Sequence, residues 1–118
     1  MIQLTIQDDI LIGNYTPDMR LNIETAKKLV AMRLLYQNGR DYPVIIHING
    51  LLPDSKEVRI YMATTGIKGI TQGAFVAKNI YENVLLQFFL SVDKPNVPSK
   101  VFAKEEEAVQ WIKEETNN

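Results

Sequence analysis

Few residues of this sequence are candidates for catalysis or metal binding, and His47 is the only histidine. Catalysis would need an acid, a base or a nucleophile converging on its imidazole, and a metal site would need further ligands. The sequence shows neither pattern. A lone histidine in an apolar segment is more often a neutral residue, hydrogen-bonded to a neighbour. If its strand ends near the surface, His47 and Asn49 could line a cleft of the kind that holds ligands in open α/β sheets.

Asp54 and Ser55 form a second candidate site, because they precede Lys56–Ala63, which we interpret as a helix. A side-chain oxygen at a helix start accepts a hydrogen bond from an otherwise unpaired backbone N–H group, a contribution of about 1 kcal/mol. Asp54 could take this role together with Glu57, in the manner of a capping box, and the Ser55 hydroxyl would then be freer. Otherwise Ser55 is itself the cap. Both interpretations stay open on the sequence.

Other catalytic signatures are absent from the sequence, including G-x-S-x-G, the phosphate-binding loop, the dinucleotide glycine run and H-E-x-x-H. The chain has no cysteine, which excludes disulfides, thiolate metal sites and cysteine nucleophiles. The acidic runs Asp8–Asp9 and Glu105–Glu107 are expected to be solvated, because consecutive carboxylates point in different directions. We therefore expect a protein that is not an enzyme and that has no cofactor and no metal site.

Length and charge further limit the classes of protein to which this chain could belong. The 118 residues fit one domain, 1–118, and leave no room for two ordinary ones. The 13 basic and 14 acidic residues are interspersed, without the basic excess that phosphate binding requires, which argues against a nucleic-acid partner. No apolar stretch approaches the roughly 20 residues that span a bilayer. The N-terminus lacks the basic start and the continuous apolar run of a signal peptide. We expect no membrane association and a cytoplasmic location.

Alternating and apolar segments predict five strands. The first two, separated by the polar pair Asp8–Asp9, are typical of a β-hairpin. The third is apolar on both faces and is predicted to be central in a sheet flanked by helices. The segments are 2–6, 10–15, 42–48, 70–77 and 100–103.

Helical segments alternate with these strands, and the first follows the N-cap residue Asn22. Its apolar stripe at helical spacing consists of Ile23, Ala26, Val30 and Leu34, with Leu29 beside it; Lys27, Lys28 and Arg33 lie off its centre. The predicted order is β-β-α-β-α-β-α-β-α. It indicates an α/β fold with a mixed, mostly parallel sheet of about five strands and about four helices.

The helix that follows Asn79 is unusually apolar. Its broad apolar face comprises Tyr81, Val84, Leu85, Phe88 and Val92, and Leu86, Phe89 and Leu90 extend the apolar character beyond one stripe. A helix that is apolar nearly all round is buried or covered by something else. We favour a core helix, while an interface with a partner or a wall of an apolar pocket remains open. Tyr81, Leu85, Phe88 and Phe89 are the candidate residues for either role.

The order of elements resembles the STAS domains of sulfate transporters and anti-sigma-factor antagonists, and in particular the stand-alone bacterial SpoIIAA-like branch. The resemblance rests on the buried strand with its following capped helix, the Lys94-Pro95 connector, and Val101-Phe102-Ala103 before a glutamate-rich helix bearing Trp111. It covers nearly the whole chain. It implies a STAS-like fold and a non-enzymatic regulatory or protein-interaction role.

In the STAS antagonists a serine or threonine after the central strand is phosphorylated, and this switches partner binding. The resemblance nominates Ser55 for that role, with Asp54, Lys56 and Arg59 around it. A phosphate there would meet free N–H groups and the positive end of the helix dipole. This chain departs from the pattern, because Lys56-Glu57-Val58-Arg59 follows where the regulators carry a small, glycine-containing stretch.

The sequence therefore leaves two alternative functions of different class. The first is a regulatory domain that binds a protein partner, or a second copy of itself as a dimer, around residues 51–59. The second is a domain that binds a small apolar, lipid-like ligand. That second function requires a cavity between the aromatic helix and the sheet, lined by Leu85 and Phe88.

Overall fold

The N-terminal hairpin begins the fold. A computed structural model describes residues 2–17 and 19–116, so that Met1, Asp18, Asn117 and Asn118 lie outside the described residues. Strands β1 (Ile2–Gln7) and β2 (Ile10–Tyr15) pair antiparallel. Asp8 and Asp9 between them have φ values of 53° and 63°. Positive φ at both central residues is the geometry that joins twisted strands by a two-residue turn.

Three further strands complete one sheet, and they are β3 (Tyr42–His47), β4 (Ile70–Val76) and β5 (Ser99–Phe102). The spatial order is β1-β2-β3-β4-β5, and all pairs other than β1–β2 are parallel. The predicted mixed, mostly parallel five-stranded sheet is confirmed. Strand β3 is central, as its apolar sequence indicates.

Four helices cover the sheet: α1 (Ile23–Gln37), α2 (Lys56–Ala63), α3 (Ile80–Asp93) and α4 (Glu105–Thr116). The first three connect parallel strands that advance in one direction across the sheet. Because such crossovers share one handedness, the three helices lie on the same face. Helix α4 covers the opposite face, where Ala108 and Ile112 pack against Ile45. The two layers bury β3 on both sides.

The caps of α1 and α3 form as the sequence predicts. The side-chain oxygen of Asn22 accepts a hydrogen bond from the backbone N–H of Thr25 at 2.9 Å. The side-chain oxygen of Asn79 accepts from the backbone N–H of Glu82, also at 2.9 Å. Each bond satisfies one of the N–H groups that a helix start leaves without an intrahelical partner.

The buried stripe of α1 differs from the predicted one. Arg33 is 4% exposed and Gln37 is 3% exposed, whereas Leu34 is only partly buried. The stripe therefore runs through Ala26, Leu29, Val30, Arg33 and Gln37. The expectation that Arg33 lies off the centre of the stripe was wrong, because Arg33 and Gln37 stand at the helical spacing of the apolar residues and are buried with them.

Truncation of Ile45 tests whether β3 is the centre of both layers. Ile45 is fully buried, and Ile45→Ala is expected to lower the free energy of unfolding by about 2–5 kcal/mol in urea titrations. The matched control is Leu35→Ala, because Leu35 is 83% exposed on α1, and its effect is expected within about 0.5 kcal/mol. Equal losses in the two variants would contradict the two-layer arrangement.

Candidate functional site

Ser55 is the residue that caps α2. Its backbone is extended, and its hydroxyl oxygen accepts a hydrogen bond from the backbone N–H of Val58 at 3.3 Å. Asp54 does not take this role, because its carboxylate forms an ion pair with Arg20 at 3.4 Å, and Glu57 is exposed. Ser55 itself is exposed. The hydroxyl of Ser55 thus has a structural function and is also accessible at the surface.

The cations near Ser55 are in different environments. Lys56 is exposed, directly after the cap. Arg59 turns towards α3, where its Nε lies 3.0 Å from a carboxylate oxygen of Asp93, and its guanidinium carbon lies 5.3 Å from the ring centroid of Phe88. The Asp93 side chain is nearly buried. Arg59 therefore joins α2 to α3, while Lys56 is an exposed cation beside Ser55 and Arg20 is a second one, held there by its ion pair with Asp54.

His47 and Asn49 lie at the carboxyl end of β3, and both are engaged within the protein. The Nε2 atom of His47 is 2.6 Å from a carboxylate oxygen of Glu105, which joins β3 to the start of α4. The side-chain amide of Asn49 donates to the backbone oxygen of Tyr15 at 2.9 Å. The expectation that Glu105 is solvated was wrong in part, since its carboxylate is the partner of the imidazole.

Most of the apolar face predicted for α3 is exposed, and Leu85 is the one member of that face that is partly buried. The most exposed apolar side chains form a row at intervals of four residues: Ile80 at 82%, Val84 at 59%, Phe88 at 48% and Val92 at 51% exposure. We call these four residues the α3 row, and Tyr81 is exposed beside it. The helix packs inward through Glu82, Leu86 and Phe89 instead. The favoured interpretation of a core helix was wrong, because the sheet covers only one side of α3.

A cavity of about 230 Å³ lies between the sheet and the layer formed by α1, α2 and α3. Its walls are mostly apolar, and three of the four residues proposed for a pocket contribute to it. These are Leu85, Phe88 and Phe89, whereas Tyr81 does not line it. The sheet side includes Ile46 and Phe75. The space required by the apolar-ligand interpretation is therefore present.

Two buried polar residues of the cavity wall were missed at the level of sequence. Tyr15 and Arg33 both line the cavity, and both are buried. Burial raises the pKa of the Tyr15 hydroxyl to about 12, and the positive charge of Arg33 opposes part of this shift. Burial lowers the pKa of the Arg33 guanidinium. The available signal for Arg33 was its spacing, seven residues after Ala26 and four after Leu29.

The high pKa of Tyr15 predicts a loss of stability in alkali. Above about pH 10 the unfolded chain releases this proton while the folded protein retains it, so the free energy of unfolding falls as the pH rises towards 12. In Tyr15→Phe this contribution is absent. Urea titrations at pH 8 and pH 11 should therefore show a smaller alkaline loss in Tyr15→Phe than in the parent protein. Equal losses would contradict the burial of the hydroxyl.

Comparison with known proteins agrees on the fold. An uncharacterised protein of the DUF3478 family from Shewanella loihica PV-4, with a SpoIIAA-like fold, has a TM-score of 0.63 at 13% identity, over 94% of this chain and 91% of its own. RsbS of Moorella thermoacetica, as a serine-to-glutamate variant, has a TM-score of 0.64 at 10% identity, over 99% of this chain and 98% of its own. These likenesses confirm a STAS or SpoIIAA-like fold.

Sequence comparison gives the family. No curated protein matches the chain significantly. Among the described residues, no helix combines the length and the apolar character needed to cross a bilayer. The family model described as domain of unknown function DUF7793 matches residues 4–116. With nearly its whole length matched, the chain belongs to the DUF7793 family, and its fold is that of the STAS domains.

Proposed function

We propose that this chain is a non-enzymatic regulatory domain that binds a protein partner through α3 and the start of α2. The observation that carries the proposal is the α3 row, which exposes apolar side chains at intervals of four residues on one side of the helix. The likeness of the fold to RsbS, an anti-sigma-factor antagonist, supports a regulatory role. The partner would contribute an apolar groove or helix that covers this row.

The energetics favour a covered row. Removing a Val, Ile or Phe side chain from water contributes about 1.5–3 kcal/mol when burial is complete. Each side chain of the α3 row is about half exposed or more, so docking still has apolar surface to bury. Contiguous exposed apolar patches are uncommon on monomeric proteins and mark interaction sites. A row with this spacing is also the contact that helix-in-groove recognition uses.

Ser55 lies one helical turn before Arg59, the residue of α2 that contacts the α3 row. The backbone N–H of Arg59 donates to the carbonyl oxygen of Ser55 at 3.1 Å, and the guanidinium of Arg59 packs against Phe88 of the α3 row. A negative charge at Ser55 would therefore change the potential at the edge of the proposed interface. The RsbS neighbour carries a serine-to-glutamate substitution, a change of the same chemical kind.

A second function, the binding of a small apolar ligand, is favoured by one specific observation. The cavity of about 230 Å³ is lined by Leu85, Phe88 and Phe89, together with apolar residues of the sheet and of α1. Phe88 belongs to both the cavity wall and the α3 row. The two functions therefore do not exclude each other, and ligand binding would act on a residue of the proposed partner surface.

Substitution in the α3 row tests the partner surface. Val84→Glu places a charge in the middle of the row at a residue that does not line the cavity, so partner capture should be lost while folding is kept. The matched control is Leu35→Glu on α1, which introduces the same charge at an exposed leucine elsewhere. Tagged proteins expressed in the native host and crosslinked before purification provide the comparison.

The expected result is a protein that crosslinks to the parent chain and to Leu35→Glu but not to Val84→Glu. A second copy of the chain in the same position would indicate self-association through the row. Identical crosslinks in all three samples, or none in any, would contradict the proposed surface. Circular dichroism of each variant separates loss of binding from loss of folding.

Ser55→Asp and Ser55→Ala separate the switch from the cap. Aspartate keeps an N-cap oxygen and adds a negative charge. Ser55→Asp is therefore expected to retain the stability of the fold and to lower its affinity for the captured partner. Alanine removes the cap, and Ser55→Ala should lose about 1 kcal/mol of stability with partner affinity kept. Calorimetry with the purified partner measures both. Unchanged affinity in Ser55→Asp would remove Ser55 from the proposed mechanism.

A further inference from the structure

A buried charge without an acidic partner lies in the wall of the cavity. Arg33 is 4% exposed, and its guanidinium donates to the side-chain oxygen of Gln37 and to the backbone oxygen of Gly66. Both acceptors are neutral. Among residues 2–17 and 19–116, no carboxylate forms an ion pair with it; the acidic groups that do pair are Asp8, Asp9, Asp54, Glu82, Asp93 and Glu105. A buried ion without a counter-charge costs several kcal/mol.

The guanidinium also has donors to spare. Arginine presents five N–H groups in a planar fork that matches a carboxylate, and the two recorded bonds of Arg33 use two of them. Tyr15, which is 7% exposed, lines the same cavity. Within the described residues its hydroxyl has no recorded hydrogen-bond partner, and the charge of Arg33 reaches it electrostatically. Both groups can donate to an anionic oxygen.

The remainder of the wall excludes a purely ionic ligand. Apart from Arg59, which is paired with Asp93, and Ser99, whose hydroxyl donates to the backbone oxygen of Val97, the remaining side chains are mostly apolar. They include Leu29, Ile46, Met62, Phe75 and Phe89. A free inorganic anion would lose its hydration there without any compensation from these side chains. A ligand with an apolar body and a single anionic head would satisfy both parts of the wall.

The volume limits the size of that ligand. A cavity of about 150 Å³ lined by aliphatic and aromatic residues binds benzene, and pockets for drug-sized molecules begin at about 300 Å³. The cavity of about 230 Å³ lies between these limits. Its size therefore suits a medium-chain fatty acid or a small aryl-alkanoic acid.

We propose that the cavity is a binding site for a small amphipathic monocarboxylate, whose head group is held by Arg33 and Tyr15 and whose apolar body lies against α3 and the sheet. The carboxylate neutralises the buried guanidinium, and charge-assisted bonds between them are stronger than neutral ones. The proposal rests on the second function, the binding of a small apolar ligand in this cavity, and it does not depend on a protein partner.

Calorimetric titration with octanoate, 1-octanol and acetate tests the site. The two eight-carbon probes share an apolar body and differ in the charge of the head, while acetate has the head without the body. Octanoate is expected to bind the parent protein at least about tenfold more tightly than 1-octanol, as charge-assisted bonds imply. Acetate is expected to show no binding at millimolar concentration.

Two variants assign the head-group contacts. Arg33→Met keeps much of the volume and removes the charge, so the preference for octanoate over 1-octanol should disappear while 1-octanol binds as before. Tyr15→Phe should reduce the affinity for octanoate by a smaller factor. It also keeps the test decisive if Arg33→Met fails to fold.

Three results would overturn the proposal. They are equal affinities for octanoate and 1-octanol in the parent protein, no binding of octanoate at millimolar concentration, and acetate binding as tightly as octanoate. None of them bears on the α3 row, because Val84→Glu and Leu35→Glu test that surface separately.

Discussion

Strand β3 is buried on both faces, and the placement of the other elements follows from covering it. Val44 and Ile46 contribute to the core under α1, α2 and α3, while Ile45 contributes to the core under α4. Parallel pairing on both sides of β3 requires crossover connections, and their common handedness places three helices on one face. The other face is covered by α4, which also reaches β3 through the contact between His47 and Glu105.

The three helices over the first face differ in length, and both candidate sites lie where the short helix α2 meets α3. Helix α2 has eight residues, between neighbours of 15 and 14 residues. The short middle helix is joined to α3 by Arg59, which contacts both Asp93 and Phe88. Below this junction lies the cavity, and outside it lies the α3 row. Ligand binding and partner binding would therefore meet at Phe88.

The buried polar residues of α1 hold the segment 66–69, which contributes Gly66 and Ile67 to the cavity wall. Arg33 donates to the backbone of Gly66, and Gln37 donates to the backbone oxygen of Gly69 at 2.9 Å. Gly69 has a φ of 81°, and a Cβ atom there would lie 3.0 Å from the Gln37 amide nitrogen. The close approach of this segment to α1 thus requires glycine. The hydrogen bond from Arg33 to Gly66 keeps the guanidinium charge in the interior despite the cost of desolvation.

The strands, the helices, their order and the central position of β3 could be predicted from the sequence, because they depend on local periodicity, caps and turns. Asn22, Asn79 and the Asp8–Asp9 turn act over a few residues and needed no tertiary information. Ser55 was recognised as a candidate cap on the same local grounds.

The buried side of α3 could be assigned only from the packed structure. The sequence of α3 places apolar residues on nearly all sides of the helix. Periodicity alone therefore could not show that Leu86 and Phe89 face the sheet while Val84 faces solvent. The burial of Arg33, the pairing of Glu105 with His47 and the cavity itself depend on residues far apart in sequence that meet only when the layers pack. Long-range packing, which local propensity does not encode, sets these features.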